Sequence, residues 1–283
     1  MEQFLQNGDA PTITAVLNAG GRATRMNGLF TPDEAKGIAK AIRLDIGAQA
    51  GLSSLTLVDH QINQLSSVSE IDSIVVSAGD QQVVADYVET QYADSEHIHA
   101  TLDTETYGTA GDLITAVRAH PELFGELLVV GNVDTIVRID YTALIARFQQ
   151  TTSDAMIALT QRRDAKNADA FIVGSDGAVI YSDEFSGFNR VSRESALPFA
   201  AQRGASTGVV ALRTQFLRES QWSPEDGEYS IYKDLLGHAL GSRGLTCFNN
   251  HENFVRDVAT RESWNASRND PELQAELWYS TSK

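Results

Sequence analysis

LNAGGRATRM, residues 17–26, follows directly on the strand-like apolar run 13–17. Its paired glycines, Gly20 and Gly21, let the backbone turn sharply and expose N–H groups that no Cβ shields. Exposed amides at such a turn form a concavity for anions, and Arg25 adds a charge-assisted contact to phosphate oxygens. The glycines alone would also suit a plain turn between a strand and a helix, but the arginines in the same turn favour a phosphate site. The spacing does not fit GxGxxG, which argues against a dinucleotide fold, and the P-loop pattern is absent from this segment.

Outward from this turn, short apolar runs alternate with amphipathic segments along the chain. The apolar runs predict strands over 13–17, 71–77, 126–131, 155–160, 207–212 and 245–248. The amphipathic segments predict helices over 52–65, 81–92, 110–119, 140–149 and 229–240. A Ser-Asp-Gly turn at 175–177 predicts a hairpin between 171–173 and 178–181. The alternation predicts an α/β fold, an open and mostly parallel sheet with helices on both faces and a less regular C-terminal half.

The composition is that of an acidic globular protein. Lys and Arg number 22 against 38 Asp and Glu, a formal net charge of -16 over 283 residues. A surface of this sign repels nucleic-acid backbones, so we expect no nucleic-acid partner, although a small phosphate ligand could sit in a local basic pocket. The one cysteine, Cys247, cannot form an internal disulfide, and no apolar run reaches the roughly 20 residues of a membrane span. With an N-terminus that lacks a secretion signal, these features predict a cytoplasmic protein with no membrane partner.

The glycine-rich turn resembles the signature of the sugar-phosphate nucleotidyltransferases, which runs roughly L-x-A-G-G-x-G-T-R-M/L and is followed further on by P-K. Residues 17–26 match this signature with Ala23 in place of the third glycine. The pair Ala39-Lys40 resembles P-K with alanine in place of proline, which makes Lys40 the signature lysine. Lys36 is a rival, because the spacing from Arg25 is ambiguous by a few residues.

Four later segments resemble further motifs of the family, in the family's order. TYGTAG at 106–111 resembles the P-x-G-T-A-x segment beside the base, and LLVVGNVD at 127–134 resembles the strand that ends in N-G-D. STG at 206–208 resembles the N-A-G that contacts the sugar, and FVRDVAT at 254–260 resembles W-x-D-I-G-T. Each motif alone is a weak signal, but five in the right order form a specific one.

The resemblance implies both a fold and an activity. The fold is a Rossmann-like open mixed sheet of the nucleotide-diphospho-sugar transferase type, in one domain over 1–283. A nucleotide-binding half would span about 10–135, an acceptor-binding half about 136–260 and a helical tail about 261–283. The activity joins an NMP from an NTP to a sugar 1-phosphate, with release of pyrophosphate and formation of an NDP-sugar. Its partners would be the NTP, the sugar 1-phosphate and Mg²⁺, and the sequence leaves a homo-oligomer open.

The same resemblance assigns roles to single residues. Arg25 and Lys40 would be catalytic, through contacts to the triphosphate, and the metal would be held by Asp134 and Asp257. The nucleotide-binding residues would be Leu17, Asn18, Ala19, Gly20, Gly21 and Gly108. The acceptor-binding residues would be Glu184, Thr207 and Gly208. Such a reaction brings two polyanions together, so positioning and charge screening should carry the catalysis. Asp134 follows a buried run, at a strand end where open α/β sheets bind ligands, although an aspartate there could also be a cap.

Two departures from the family pattern leave the acceptor open. Many relatives carry an E-K-P segment whose lysine holds the sugar phosphate, but this chain has Glu184 followed by Phe185, which cannot bind phosphate. Arg190 or Arg193 could substitute, or the acceptor could be a cyclitol phosphate or phosphocholine. The usual G-K-P-L reads GLSSL at 51–55, so Ser53 or Ser54 would replace a lysine.

Two further observations bear on the reading. Ala23 and Ala39, where glycine and proline are usual, keep open a non-catalytic regulatory relative that binds nucleotide sugars. The six histidines form no metal-ligand spacing, and His60, beside Asp59 on a predicted helix, is interpreted as a surface or capping residue.

Overall fold

The computed structural model describes residues 12–20, 56–161, 170–185, 187–242, 244–251, 254–258, 260–267, 270–273 and 275. The strands in these ranges are β1 (Ile13–Asn18), β2 (Ser73–Ser77), β3 (Ile98–Thr101), β4 (Leu127–Asn132), β5 (Thr135–Val137), β6 (Ala155–Thr160), β7 (Phe171–Val173), β8 (Val179–Ser182), β9 (Gln202–Arg213), β10 (Leu245–Asn249) and β11 (Val255–Asp257). The α-helices are α1 (Leu57–Ser66), α2 (Gln82–Gln91), α3 (Gly108–Ala119), α4 (Tyr141–Gln149), α5 (Arg193–Ala196), α6 (Thr214–Arg218), α7 (Leu236–Ser242) and α8 (Arg261–Ser267). A π-helical turn, Ile231–Leu235, leads into α7. Within the same ranges, no helix is long and apolar enough to cross a membrane.

The main sheet is open and mixed. Its strand order is β10-β6-β9-β4-β1-β2-β3, and the hairpin of β7 and β8 extends it through β9. β1 pairs parallel to both β2 and β4, whereas β9 pairs antiparallel to β4 and β6. The prediction of an open sheet is therefore confirmed, and β9 is the element that makes it mixed rather than wholly parallel. A second, two-stranded sheet pairs β11 with β5.

Helices cover both faces of the sheet, as predicted. Successive side chains of a strand point to opposite faces. Accordingly, Leu17 of β1 belongs to a buried cluster with Ile62 of α1, and its neighbour Val16 belongs to another with Leu113 of α3. A continuous apolar run such as 13–17 is what a strand buried on both faces requires.

Several boundaries differ from the predicted ones for local reasons. Helix α1 begins at Leu57 because Thr56 forms a capping box with Asp59, in which the backbone N–H of each residue donates to the side chain of the other. Residues 52–55 of the helix predicted there lie outside the described ranges. Strand β9 is longer than its apolar centre, and β3, β5 and β11 escaped prediction because three- and four-residue strands carry little periodic signal.

His60 was predicted at the surface, and this prediction is wrong. The side chain is 1% exposed, and neither ring nitrogen has a hydrogen-bond partner among the described residues. The neighbouring Asp59 is itself buried, because it closes the cap of α1 and accepts hydrogen bonds from the hydroxyls of Tyr87 and Tyr92. An acidic neighbour in the sequence is therefore no sign of a solvated helix face here.

Burial of His60 predicts a loss of stability in acid. Burial lowers the pKa of its imidazole from 6.5 to about 4, so protonation favours the unfolded chain. The contribution of neutral His60 is complete above pH 6.5 and falls as the pH drops towards 4, by about 1.4 kcal/mol per pH unit. We expect His60→Leu to flatten the dependence of the unfolding free energy on pH in this window, as measured by urea titration. Replacing the exposed His97 by leucine is the control, and an equal flattening in that variant would contradict the prediction.

Candidate functional site

A cleft of about 340 Å³ opens where parallel strands β1, β2 and β4 end. Its described lining residues are Asn18, Ala19, Gly20, Ser77, Thr106, Gly108, Thr109, Asp112, Asn132, Val133, Asp134, Thr135 and Asp257. The carboxyl ends of parallel strands are where ligands bind in open α/β sheets. The cleft therefore brings together residues from most of the motifs that the sequence singled out.

The floor of the cleft depends on the close approach of two backbones. The N–H of Ala19 donates to the carbonyl of Ser77 at 2.8 Å, which joins the segment after β1 to the end of β2. A Cβ on Gly20 would lie 2.8 Å from the backbone nitrogen of Gly79, so only glycine fits. Gly21 and the rest of the glycine-rich turn, with Arg22, Ala23 and Arg25, lie outside the described residues, as do Lys36, Ala39, Lys40, Ser53 and Ser54.

Asn18 faces the cleft at the end of β1, whereas Leu17 does not. The amide nitrogen of Asn18 donates to Oδ1 of Asn132 at 3.3 Å, which links the ends of β1 and β4. Its own Oδ1 is buried and has no hydrogen-bond partner within the described ranges. The side chain of Leu17 is in the core, and its backbone pairs with Val76 and Gly131. Of the predicted nucleotide-binding residues near β1, Asn18, Ala19 and Gly20 are those that line the cleft.

The opposite wall is the start of α3. Gly108 has a φ of 79°, and a Cβ there would lie 2.7 Å from the carbonyl oxygen of Tyr229. The N–H of Tyr229 donates to the carbonyl of Tyr107 at 2.7 Å, and the N–H of Ala110 donates to the carbonyl of Tyr229 at 2.9 Å. Gly108 is therefore the place where a distant segment closes against the first turn of α3.

The two aspartates predicted to hold a metal line the same cleft. Asp134 lies between β4 and β5 and is 8% exposed, and Asp257 is the exposed last residue of β11. Pairing of β11 with β5 places Asp257 opposite Thr135, and the N–H of Val258 donates to the carbonyl of Asp134 at 2.9 Å. Sequence spacing alone could not bring these carboxylates together, but the small second sheet does.

A third carboxylate in the lining, Asp112 of α3, was missed. Its Oδ1 accepts from the N–H of Tyr107 at 2.7 Å, and its Oδ2 accepts from the hydroxyl of Thr106 at 3.3 Å. Burial raises the pKa of this carboxyl to about 6, against the opposing effect of the Tyr107 N–H. The available signal was a lone acid early in an otherwise apolar helical segment, four residues after Gly108.

The three predicted acceptor residues occupy different environments. Gly208 adjoins the cleft, because a Cβ on it would lie 3.3 Å from Cγ2 of Thr135, and its carbonyl accepts from the hydroxyl of Tyr232 at 2.6 Å. Thr207 is fully buried, and its hydroxyl donates to the carbonyl of Ala158 at 2.9 Å. That hydroxyl is committed to the sheet, so only the backbone of Thr207 is left for a ligand.

Glu184 lies just after β8 and is half-buried. Burial and the nearby charge of Asp183 raise the pKa of its carboxyl, and its charge in turn helps to raise the pKa of the buried Tyr232 hydroxyl. Tyr232 therefore connects Glu184 to Gly208. Phe185, the next residue, is 1% exposed, and its ring centroid is 5.5 Å from that of Phe171. It is a core residue, as its apolar character requires.

The arginines considered as substitutes for the missing lysine lie on the surface beyond β8. Arg193 forms an ion pair with Asp183, and its guanidinium lies 5.9 Å from the centre of the Tyr181 ring. Arg190 and Arg193 line a second, open cleft of about 590 Å³ with Tyr181. Neither arginine is among the described residues that line the main cleft.

Comparison with solved structures identifies the fold. The inositol-1-phosphate CTP transferase of T. maritima superposes with a TM-score of 0.66 at 14% identity, over 95% of this chain and 96% of that chain. The chain has the fold of the sugar-phosphate nucleotidyltransferases. A Bacillus anthracis protein described as a glucose-1-phosphate thymidylyltransferase, solved with sucrose, gives 0.67 at 15% identity over 93% and 96%. HddC from Yersinia pseudotuberculosis gives 0.62 at 17% identity over 90% and 97%, and it has also been solved with GMP-PN.

This likeness is one of structure. No protein-family model matches the chain, and no curated protein matches it in sequence. The match covers nearly the whole of each solved chain, so this nucleotidyltransferase fold includes the elaborated C-terminal half and not only the first strands.

Proposed function

We propose that this protein is a Mg²⁺-dependent nucleotidyltransferase that joins an NMP from an NTP to a phosphorylated acceptor, a sugar 1-phosphate in the first instance. The observation that supports the proposal is the meeting of Asp134 and Asp257 with the backbone of Asn18, Ala19 and Gly20 in one cleft at the strand ends. Within this fold, that combination suits a nucleoside triphosphate better than any other ligand.

The proposed reaction is an in-line displacement. A phosphate oxygen of the acceptor forms a bond to the α-phosphorus of the NTP, the bond from that phosphorus to the bridging oxygen breaks, and pyrophosphate leaves with the electron pair. The nucleophile is already an anion, so the protein needs no strong general base. Its task is to hold two polyanions together and in line.

The donors in the cleft suit Mg²⁺, which takes one or two carboxylates and completes its shell with phosphate oxygens and water. Asp134 and Asp257 would supply the carboxylates. In the described part of the chain, no group of three or more His, Cys, Asp or Glu side chains could hold a metal by itself, so the pair leaves room for substrate oxygens. When bound, the ion would neutralise charge on the phosphates.

The remaining roles belong to the chain's own groups. The backbone after β1 would approach the phosphates closely, because Gly20 has no side chain to prevent it. Arg25 and Lys40 would add positive charge against the triphosphate, and Gly208 would lie near the acceptor. In this proposal the half over about 10–135 supplies most of the nucleotide contacts, and the half over about 136–260 supplies Asp257 and the acceptor site.

A second candidate acceptor is a cyclitol phosphate. The residue after Glu184, where many relatives have a phosphate-binding lysine, is the buried Phe185, so the acceptor phosphate must be held in another way. One of the similar structures is named for inositol 1-phosphate. An acceptor without the usual hexose geometry would account for the change.

Pyrophosphate release tests the proposal. The full chain is incubated with Mg²⁺ and each common NTP or dNTP, against separate sugar 1-phosphates and inositol 1-phosphate. We expect release that requires both one nucleotide and one acceptor. Nucleotide binding without release for any acceptor would favour the regulatory alternative instead.

Removal of the metal should abolish this activity. We expect a chelator to stop pyrophosphate release and excess Mg²⁺ to restore it, because two carboxylates and a triphosphate cannot share a cleft without a cation between them. Thermal unfolding with and without chelator controls for a loss of structure. Undiminished release in chelator would contradict the assignment of Asp134 and Asp257.

A further inference from the structure

The cleft has two chemically different ends, and this inference rests on the proposed function. The strand order β4-β1-β2-β3 places Asp134 after β4 and Ser77 at the end of β2. These ends are two strand spacings apart, about 10 Å. A nucleotide with its phosphates at the aspartates would extend its base towards the end lined by Ser77, Thr106 and Asp112.

Asp112 carries the chemistry of that end. The side chain is 5% exposed and belongs to the cleft lining. Each carboxylate oxygen accepts one hydrogen bond, from the N–H of Tyr107 and from the hydroxyl of Thr106. An ionised carboxylate offers about four acceptor sites, so two remain for a ligand. The nearby charges of Asp103 and Asp80 also disfavour the ionised form, so a donor that reaches Asp112 would be strongly stabilising.

We propose that Asp112 is a specificity-determining residue that makes the cleft prefer nucleotides whose base carries an amino group, namely guanine, cytosine and adenine, over those of uracil and thymine. Amino groups donate hydrogen bonds, whereas the exocyclic oxygens of uracil and thymine only accept them. A carboxylate also only accepts, so it attracts the first class and repels the carbonyl edges of the second. In a half-enclosed site, leaving such an acceptor unpaired carries a large cost.

A purely structural role for Asp112 can be separated from this one. Asp112→Asn keeps an oxygen to accept from the Tyr107 N–H and gains an amide that can donate to the Thr106 hydroxyl. The loop before Gly108 would therefore keep its hydrogen bonds. What changes is the group offered to the base, from an acceptor to a donor.

Calorimetric titration of the full chain with GTP, CTP, ATP, UTP and dTTP, in Mg²⁺ and without acceptor, tests the proposal. At pH 8 the Asp112 carboxylate, with a pKa of about 6, is ionised. We expect the wild type to bind the three amino-bearing nucleotides at least about tenfold more tightly than UTP and dTTP, and Asp112→Asn to reduce that ratio by about tenfold. The control, Asp86→Asn, removes an equal charge from the exposed face of α2 and should keep the wild-type ratio.

The outcomes distinguish two failures. If the wild type binds UTP or dTTP as tightly as the others, or if Asp112→Asn keeps the wild-type ratio, Asp112 does not select the base and the proposed function stands. If no nucleotide binds the wild type, the proposed function fails and this inference fails with it. The wild-type ratio alone decides the question should Asp112→Asn not fold.

Discussion

Asp134→Ala is expected to lower kcat/KM for pyrophosphate release by about 1000-fold or more, the loss typical when a charge-stabilising metal site is broken. Asp134 is nearly buried at the end of β4, so no other side chain can move into its place without rebuilding the strand end. The fold should persist, because the neighbouring hydrogen bond from Val258 reaches the carbonyl of Asp134 and not its carboxylate. Activity is measured with saturating Mg²⁺, and thermal unfolding reports on the fold.

The partner variant makes this test sharper. If Asp134 and Asp257 hold one ion, Asp257→Ala should cause a similar loss, and the double variant should be little worse than either single one. Asp86→Ala, which removes a surface carboxylate from α2, should leave the rate unchanged. Losses that multiply in the double variant would contradict a shared ion, as would a folded Asp134→Ala enzyme with a tenth or more of the wild-type rate.

Gly108→Ala is expected to destabilise the protein by about 2–4 kcal/mol. Two effects add at this position: a φ of 79°, which disfavours any side chain, and a Cβ placed 2.7 Å from the carbonyl oxygen of Tyr229. Relief of that contact would push the segment at Tyr229 away from α3, so the nucleotide affinity should fall as well. Urea unfolding and calorimetry measure the two effects separately.

Gly227 provides the matched control. Its φ is 84°, almost that of Gly108, but a Cβ there would meet no atom within 4 Å. Gly227→Ala should therefore show the cost of the backbone conformation alone, about 1–2 kcal/mol. Equal losses in the two alanine variants would show that the approach of Tyr229 to Gly108 has no energetic weight.

The layout of the sheet could be predicted because its signals are local. An unbroken apolar run such as 13–17 indicates a strand buried on both faces, and amphipathic segments between such runs indicate covering helices. The antiparallel direction of β9 is a different matter, since it depends on which strands a long segment meets. Nothing in the alternating pattern of 202–213 states that it will lie between β4 and β6.

The site could be predicted only in part, for a similar reason. Asp134 was recognisable from its position after a buried strand, but its pairing with Asp257 came from a resemblance and is produced by the short strands β5 and β11. Asp112 and His60 were missed or misplaced because burial of a polar side chain depends on distant neighbours. Arg25 and Lys40 stay predictions, since they lie outside the described residues.

The position of β9 also governs the order in which the chain can fold during synthesis. β4 and β6 each need β9 as a neighbour, and β9 is made long after both. At roughly 5–20 residues per second, the edge of β4 waits several seconds on the ribosome for its partner. An unpaired edge of apolar residues such as 127–130 is a template for association between nascent chains. A chain that stops before residue 202 would keep that edge open permanently, so early termination should yield aggregate rather than a working half.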